Sequence, residues 1–308
     1  MKNKCVHGLT MLLPAFLLLA SGCQSGGKRE PRKIGDSGSR EVVKQIEAMK
    51  QIYHLTPSPA EMLDVIDVQD LGYDPGLLNP VSNTEQYIGS RAITLAMGIY
   101  STDMAYCALF GRHEETLDYL EAVQNLGQEV HLTGAVDEEL IREAREKVDV
   151  LDSLVIISNR AFVNMLYFCE RNERPGTVAM LTAGSFIESL YLAVNLAGSY
   201  GQAGYLLQHL SDQKYAMKNL MDFAESIEGG DENVRAVMEE LAPIMKIYEN
   251  INTAAGAPTV TTESEAKGDQ PKKLVIGGGS QAGPPMTESE FEELKQETIR
   301  LRNRLVEG

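Results

Sequence analysis

Residues Gly176 to Gly198 read GTVAMLTAGSFIESLYLAVNLAG, a run long enough for several helical turns. Apolar or small side chains occupy nearly every side of it, so it lacks the single apolar stripe of a surface helix. A helix that is apolar all round belongs inside a protein core or a membrane. Glu188 and Asn195 interrupt the run, which weighs against a membrane span and marks Glu188 as a buried carboxylate. The segment is read as the central core helix of the chain.

The remaining composition agrees with a helical interior. The chain has 308 residues, 43% of them hydrophobic, with 13 Met and no Trp. Leu, Ile, Ala and Met pack helices more readily than they build a β-sandwich. No stretch sustains period-2 alternation between turn signals. The fold class expected is all-α, a multi-helix bundle of roughly eight helices. A formal net charge of −16 excludes the basic footprint that nucleic-acid binding needs. It also repels anionic lipid, so membrane attachment has to come from another source.

That source is at the N-terminus. Lys2 and Lys4 precede an apolar run from Leu9 to Ala20, and small residues Ala20, Ser21 and Gly22 lead to Cys23. This is the order of a cleaved export signal. The segment LLLASGC resembles the lipobox of bacterial lipoproteins, which implies that Cys23 is acylated and becomes the mature N-terminus. Residues 1–22 are then a signal peptide and 23–39, polar and Gly-rich, a flexible tether. The acyl chains make the membrane a partner. With no acidic run after Cys23, an outer-membrane anchor facing the periplasm is favoured over surface exposure.

Residues 40–252 carry the helical domain. Helices are expected over 40–53, from Ser58 to about Asp70, and over 84–110, 113–127, 137–150 and 151–168 (one long helix or two), 176–198, 200–225 and 231–252, with a loop at 72–83. Ser58 and Glu61 have the form of a capping box. Cys107 and Cys169 each lie within an apolar helical segment. They read as small buried hydrophobes, although an oxidising compartment allows a disulfide. Residues 253–286 shift to small, polar and Pro-containing composition, a disordered linker. Within them Leu274 to Gly283 (LVIGGGSQAG) outlines a Gly-rich loop, but Pro284 and Pro285 block the helix that phosphate binding requires. Residues 287–307 form a last helix, separate from the domain, with Thr287 and Glu290 as a capping box at its start and Arg300, Arg302 and Arg304 at its end complementing the macrodipole. Phe291, Leu294, Thr298, Leu301 and Leu305 step along it as a short coiled-coil seam. Two or three heptads are marginal alone, so the seam is expected to meet a protein partner or a second copy; docking on its own domain is the alternative.

Candidate chemistry is sparse. The five histidines lack metal-ligand spacing, and no G-x-S-x-G elbow is present, so no metal, cofactor or catalytic set is assigned. What remains are acids on apolar helices. Asp103 and Glu188 each follow a Gly by four or five positions and precede a Tyr by three, Tyr106 and Tyr191. With Tyr100 and Arg160 they form a candidate ligand site or polar core network, in which Arg91, Arg160, Asn159 and Asn164 would satisfy the acids.

The lipobox, the motif GIYSTDMAY (Gly98 to Tyr106), and Asp152-Ser153-Leu154 followed by Ala183 to Glu188 give the chain a wider likeness. It resembles a group of uncharacterised all-helical lipoproteins of Bacteroidota. The resemblance implies an envelope location and brings no activity with it. Three functions stay open: a non-enzymatic scaffold or adaptor for envelope partners, which is favoured; a periplasmic small-ligand binding or sensor module in the central apolar helices; and a hydrolase using Asp103 and Glu188.

Overall fold

Ser58 and Glu61 close a reciprocal capping box at the first helix of the computed structural model. The Ser58 N–H donates to Glu61 Oε2 at 2.7 Å and the Glu61 N–H donates to Ser58 Oγ at 3.3 Å. The structure describes residues 58–63, 66, 71–147, 151–227, 230–251 and 285–307. The signal peptide, Cys23, the tether, the helix expected over 40–53 and the Leu274–Gly283 loop all fall outside them. Among the described residues every regular element is helical, which bears out the all-α expectation.

The α-helices are α1 (Pro59–Leu63), α2 (Ser90–Leu109), α3 (His113–Glu129), α4 (Glu138–Glu146), α5 (Leu151–Arg171), α6 (Pro175–Leu196), α7 (Leu206–Ser226), α8 (Glu232–Asn250) and α9 (Glu288–Val306). Helix α6 is the apolar segment from which the sequence was read. It packs against α1, α2, α5, α7, α8 and α9, so its lack of a polar face is answered by neighbours on every side. By length and composition it could cross a membrane, yet its most apolar stretch is 94% buried inside the bundle.

Helix α2 is the second axis. It starts six residues later than expected, because Val81–Gln86 takes a 3₁₀ turn and Gly89 has φ +86°. Contacts with α6 advance in the same direction along both helices: Gly98 meets Leu181, Gly184 and Ser185, while Thr102 meets Ser185. The pair therefore runs parallel, and α3, α4 and α5 form the return path. Glycine makes the close approach possible. A Cβ at Gly98 would strike the Leu181 carbonyl, and one at Gly184 the Leu95 carbonyl. Thr102 Oγ1 ties the crossing, donating within its own helix to Gly98 O and lying 3.2 Å from Ser185 Oγ.

Tight turns set the return. Three helices end in the same way, with an N–H closing back on the carbonyl five residues earlier: Arg112 to Cys107 (2.8 Å), Leu132 to Gly127 (2.7 Å) and Arg174 to Cys169 (2.9 Å). The left-handed residue in each is Gly111, His131 and Glu173 respectively. This is the Schellman geometry, which glycine adopts freely and other residues do not. Arg174 compensates for one of them. Its guanidinium donates to Val130 O and His131 O, the carbonyls just past the end of α3.

The expected separation of the last helix is corrected. Helix α9 packs against α6, α8 and α2. Phe291, Leu294, Thr298 and Leu301 are fully buried and Leu305 is half-buried, so the seam reserved for a partner is an internal seam. Its start has the expected capping box, with the Thr287 N–H donating to Glu290 Oε2 at 2.6 Å. The chain leaves α8 at Ile251, whose carbonyl accepts from Lys214 Nζ at 3.0 Å. It returns at Pro285, whose carbonyl accepts from Ser211 Oγ at 3.0 Å. Both fastenings lie on one turn of α7.

Two substitutions test this framework by urea unfolding. Gly184→Ala forces α2 and α6 apart and should cost about 3 kcal/mol, at the upper end of overpacking effects. Glu173→Gly removes a left-handed strain without touching the core and should raise stability by about 0.5–1 kcal/mol.

Candidate functional site

The parallel crossing of α2 and α6 carries Asp103 and Glu188 to the same level of the bundle. Asp103 follows Gly98 by five residues and Glu188 follows Gly184 by four, so each acid sits just past the point of closest approach. Both are fully buried. The recurrence seen in the sequence thus corresponds to a real juxtaposition, with the two carboxyls within hydrogen-bonding reach.

Burying charge unpaired costs several kcal/mol or more. The partner that answers it is Arg302, on α9. Its Nε donates to Glu188 Oε2 at 2.9 Å and its Nη2 to Glu188 Oε1 at 3.0 Å, a bidentate pair. Nη2 also donates to Leu77 O at 3.1 Å. The guanidinium lies over the Tyr191 ring, 4.4 Å from its centre.

Asp103 Oδ2 accepts the Asn79 N–H at 3.1 Å, while its Oδ1 has no donor facing it. Two ionised carboxylates in contact repel each other, so the contact becomes a bond only when one of them carries a proton. Arg302 already stabilises the Glu188 anion, which leaves the proton on Asp103. Burial, and then the neighbouring Glu188, push the Asp103 carboxyl well above the ordinary carboxylate range; Arg302 and the Asn79 amide oppose this without cancelling it. Burial also raises Glu188, with Arg302 as the chief opposing influence.

The tyrosines divide differently from expectation. Tyr191 alone joins the cluster, as the face beneath Arg302. Tyr106 accepts the Asp74 N–H at 3.1 Å and stacks on Tyr73. Tyr100 donates to Pro80 O at 2.9 Å. Both fasten the segment before α2. Arg160 is corrected outright: it points away from the acids and pairs with Glu143 on α4. Arg91 is exposed at the start of α2, and Asn159 and Asn164 are half-buried on α5.

Two residues that hold the site were not singled out from sequence. Arg302 was grouped with Arg300 and Arg304 as a charge at the helix C-terminus, although Leu294, Thr298 and Arg302 step by four along the buried face. Asn79 is the other. Its N–H binds Asp103, its Nδ2 donates to Tyr87 at 2.8 Å, its Oδ1 accepts from Asn83 at 3.0 Å and its carbonyl accepts from Tyr119 at 2.9 Å. A loop asparagine gives no periodic signal by which to find it.

The cluster has little room for chemistry. Both oxygens of Glu188 are taken by Arg302, which leaves a cation no place. The void between α2, α6, α8 and α9, lined by Leu95, Ile187, Leu241 and Leu301, has no room for a water molecule. Cys107 and Cys169 are buried and unbridged. Burial raises both thiols, which keeps them as unreactive SH groups. No family model matches the chain, and neither a curated protein nor a solved structure matches it.

Removing one member of this cluster should have very unequal effects. Glu188→Gln strands the Arg302 charge and should cost about 3–5 kcal/mol. Asp103→Asn keeps both bonds, since its amide donates to Glu188 and its carbonyl accepts from Asn79, and should change stability by under about 1 kcal/mol. The double change Glu188→Met with Arg302→Met should cost less than Glu188→Gln alone. Urea midpoints at neutral pH measure all three.

Proposed function

We propose that the protein is a lipid-anchored envelope lipoprotein whose helical bundle acts as a non-enzymatic scaffold or adaptor. The lipobox at Cys23 supports the anchor, with the outer membrane and a periplasm-facing domain as the place of action. The observation that carries the scaffold reading is the commitment of Glu188 to Arg302, with Asp103 buried beside the pair. The acids with the strongest claim to chemistry in the sequence serve to hold three helices together. A hydrolase built on them would need solvent and substrate to reach carboxyls that are sealed. A ligand held between α2, α6, α8 and α9 would need space where no water fits.

With the seam of α9 turned inward, a partner has to meet the outer surface of the bundle. Deleting α9 is therefore a poor test, because it opens the core and strands both acids. Photo-crosslinkers at Ile156 and Ile88, exposed apolar side chains at 62% and 88%, keep the fold intact. In cells, crosslinking should yield a defined envelope partner, and the Glu188→Met, Arg302→Met double variant should capture it equally. A folded double variant that loses its partner would instead assign the function to the acids. Cys23→Ser should abolish fatty-acid labelling and release the protein from membranes; retained labelling would overturn the anchor.

A further inference from the structure

Two carboxyls and one guanidinium share a closed space at the centre of the bundle, and Arg302 reaches it only as part of α9. Asp103 is fully buried beside Glu188 and its Oδ1 has no donor, so the arrangement is complete with one proton between the two acids and incomplete without it. We propose that this proton is a latch on α9: while it is present the core stays closed around Arg302, and its loss favours opening of the helix.

The groups around this proton keep their own protonation states while it is held. The titratable groups around it are Tyr100, Tyr106 and Cys107 from α2, Tyr119 from α3, Glu188 and Tyr191 from α6, and Arg302 from α9. The phenols and the thiol are all pushed up by burial and stay protonated. Arg302 keeps its charge, its acidic partners more than offsetting burial. Arg112 and Glu115, farther out, pair with each other. Helix α9 is fastened elsewhere by Gln86 Nε2, which donates to Val306 O at 2.6 Å, by Lys295 Nζ, which donates to Gly198 O, and by the Arg304–Glu240 pair.

The direction follows from where Asp103 ionises. Closed, it holds its proton far above the ordinary range; once α9 opens, water reaches it and it ionises as an ordinary carboxyl. Opening thus releases one proton throughout the interval between those two values. The latch is at full strength below the ordinary range and weakens as pH rises toward the raised value. Within the interval the open population grows about tenfold per pH unit.

Hydrogen exchange on the full-length protein between pH 5 and pH 8, corrected for intrinsic rates, reads this directly. Amides of α9 should open more often as pH rises, by up to about tenfold per pH unit, ahead of those of α3. In Asp103→Asn the α9 dependence should be flat. A flat response in the unaltered protein overturns the latch, as does the same slope in Asp103→Asn. So does α9 exchanging only together with α3. Should Asp103→Asn fail to fold, carbon-13 carboxyl spectra of the unaltered protein decide: a protonated aspartic acid at pH 7 supports the proposal, and none sinks it.

Discussion

The close parallel crossing of α2 and α6 is the constraint from which the rest of this structure follows. Gly98 and Gly184 let two backbones meet with almost nothing between them, which yields dense dispersion contact along two long helices. The same closeness forces the acids beyond the crossing into contact. A like-charged pair cannot stand dry, so the fold needs a cation and a proton at that point. Helix α9 brings the cation. The bundle is thus held by packing and by an electrostatic condition that packing itself created.

Buried ion pairs are poor sources of net stability, because desolvation consumes most of the attraction. Their value lies in selectivity among alternatives. An amphipathic helix such as α9 satisfies its apolar face in many positions on an apolar groove. A bidentate Arg302–Glu188 pair accepts one position and one rotation. The hydrogen bonds from Gln86 and Tyr87 to Val306 O hold the far end of the helix in the same register. Along the outer surface the many pairs of α3, α4 and α5, such as Arg142 with Glu139 and Glu146, are solvated and add little beyond solubility.

What could be read in advance depended on how local the signal was. The all-round apolarity of α6 and the capping boxes at Ser58 and Thr287 are written within a few residues, and both are present. The pairing of Asp103 with Glu188 was hinted at by their matching Gly and Tyr neighbours. The late start of α2 was hidden because a 3₁₀ turn and a left-handed glycine compete with helix over residues that look helical by composition. The seam of α9 was visible, but periodicity shows that a face is apolar without showing what covers it. Arg302 was the hardest to assign, since a cation at a helix C-terminus already has a local explanation in the dipole. Arg160, on the more apolar α5, looked like the buried one and is at the surface.

The Arg302–Glu188 pair joins residues 114 positions apart in the chain. A ribosome therefore makes both acids, and the helices that press them together, long before the cation that neutralises them. An emerging chain that dried out the α2–α6 contact early would trap uncompensated charge. The cheaper course is to leave that contact hydrated until α9 arrives. Order of synthesis then becomes order of consolidation: the interior of this bundle is sealed at its centre by a residue made well after both acids.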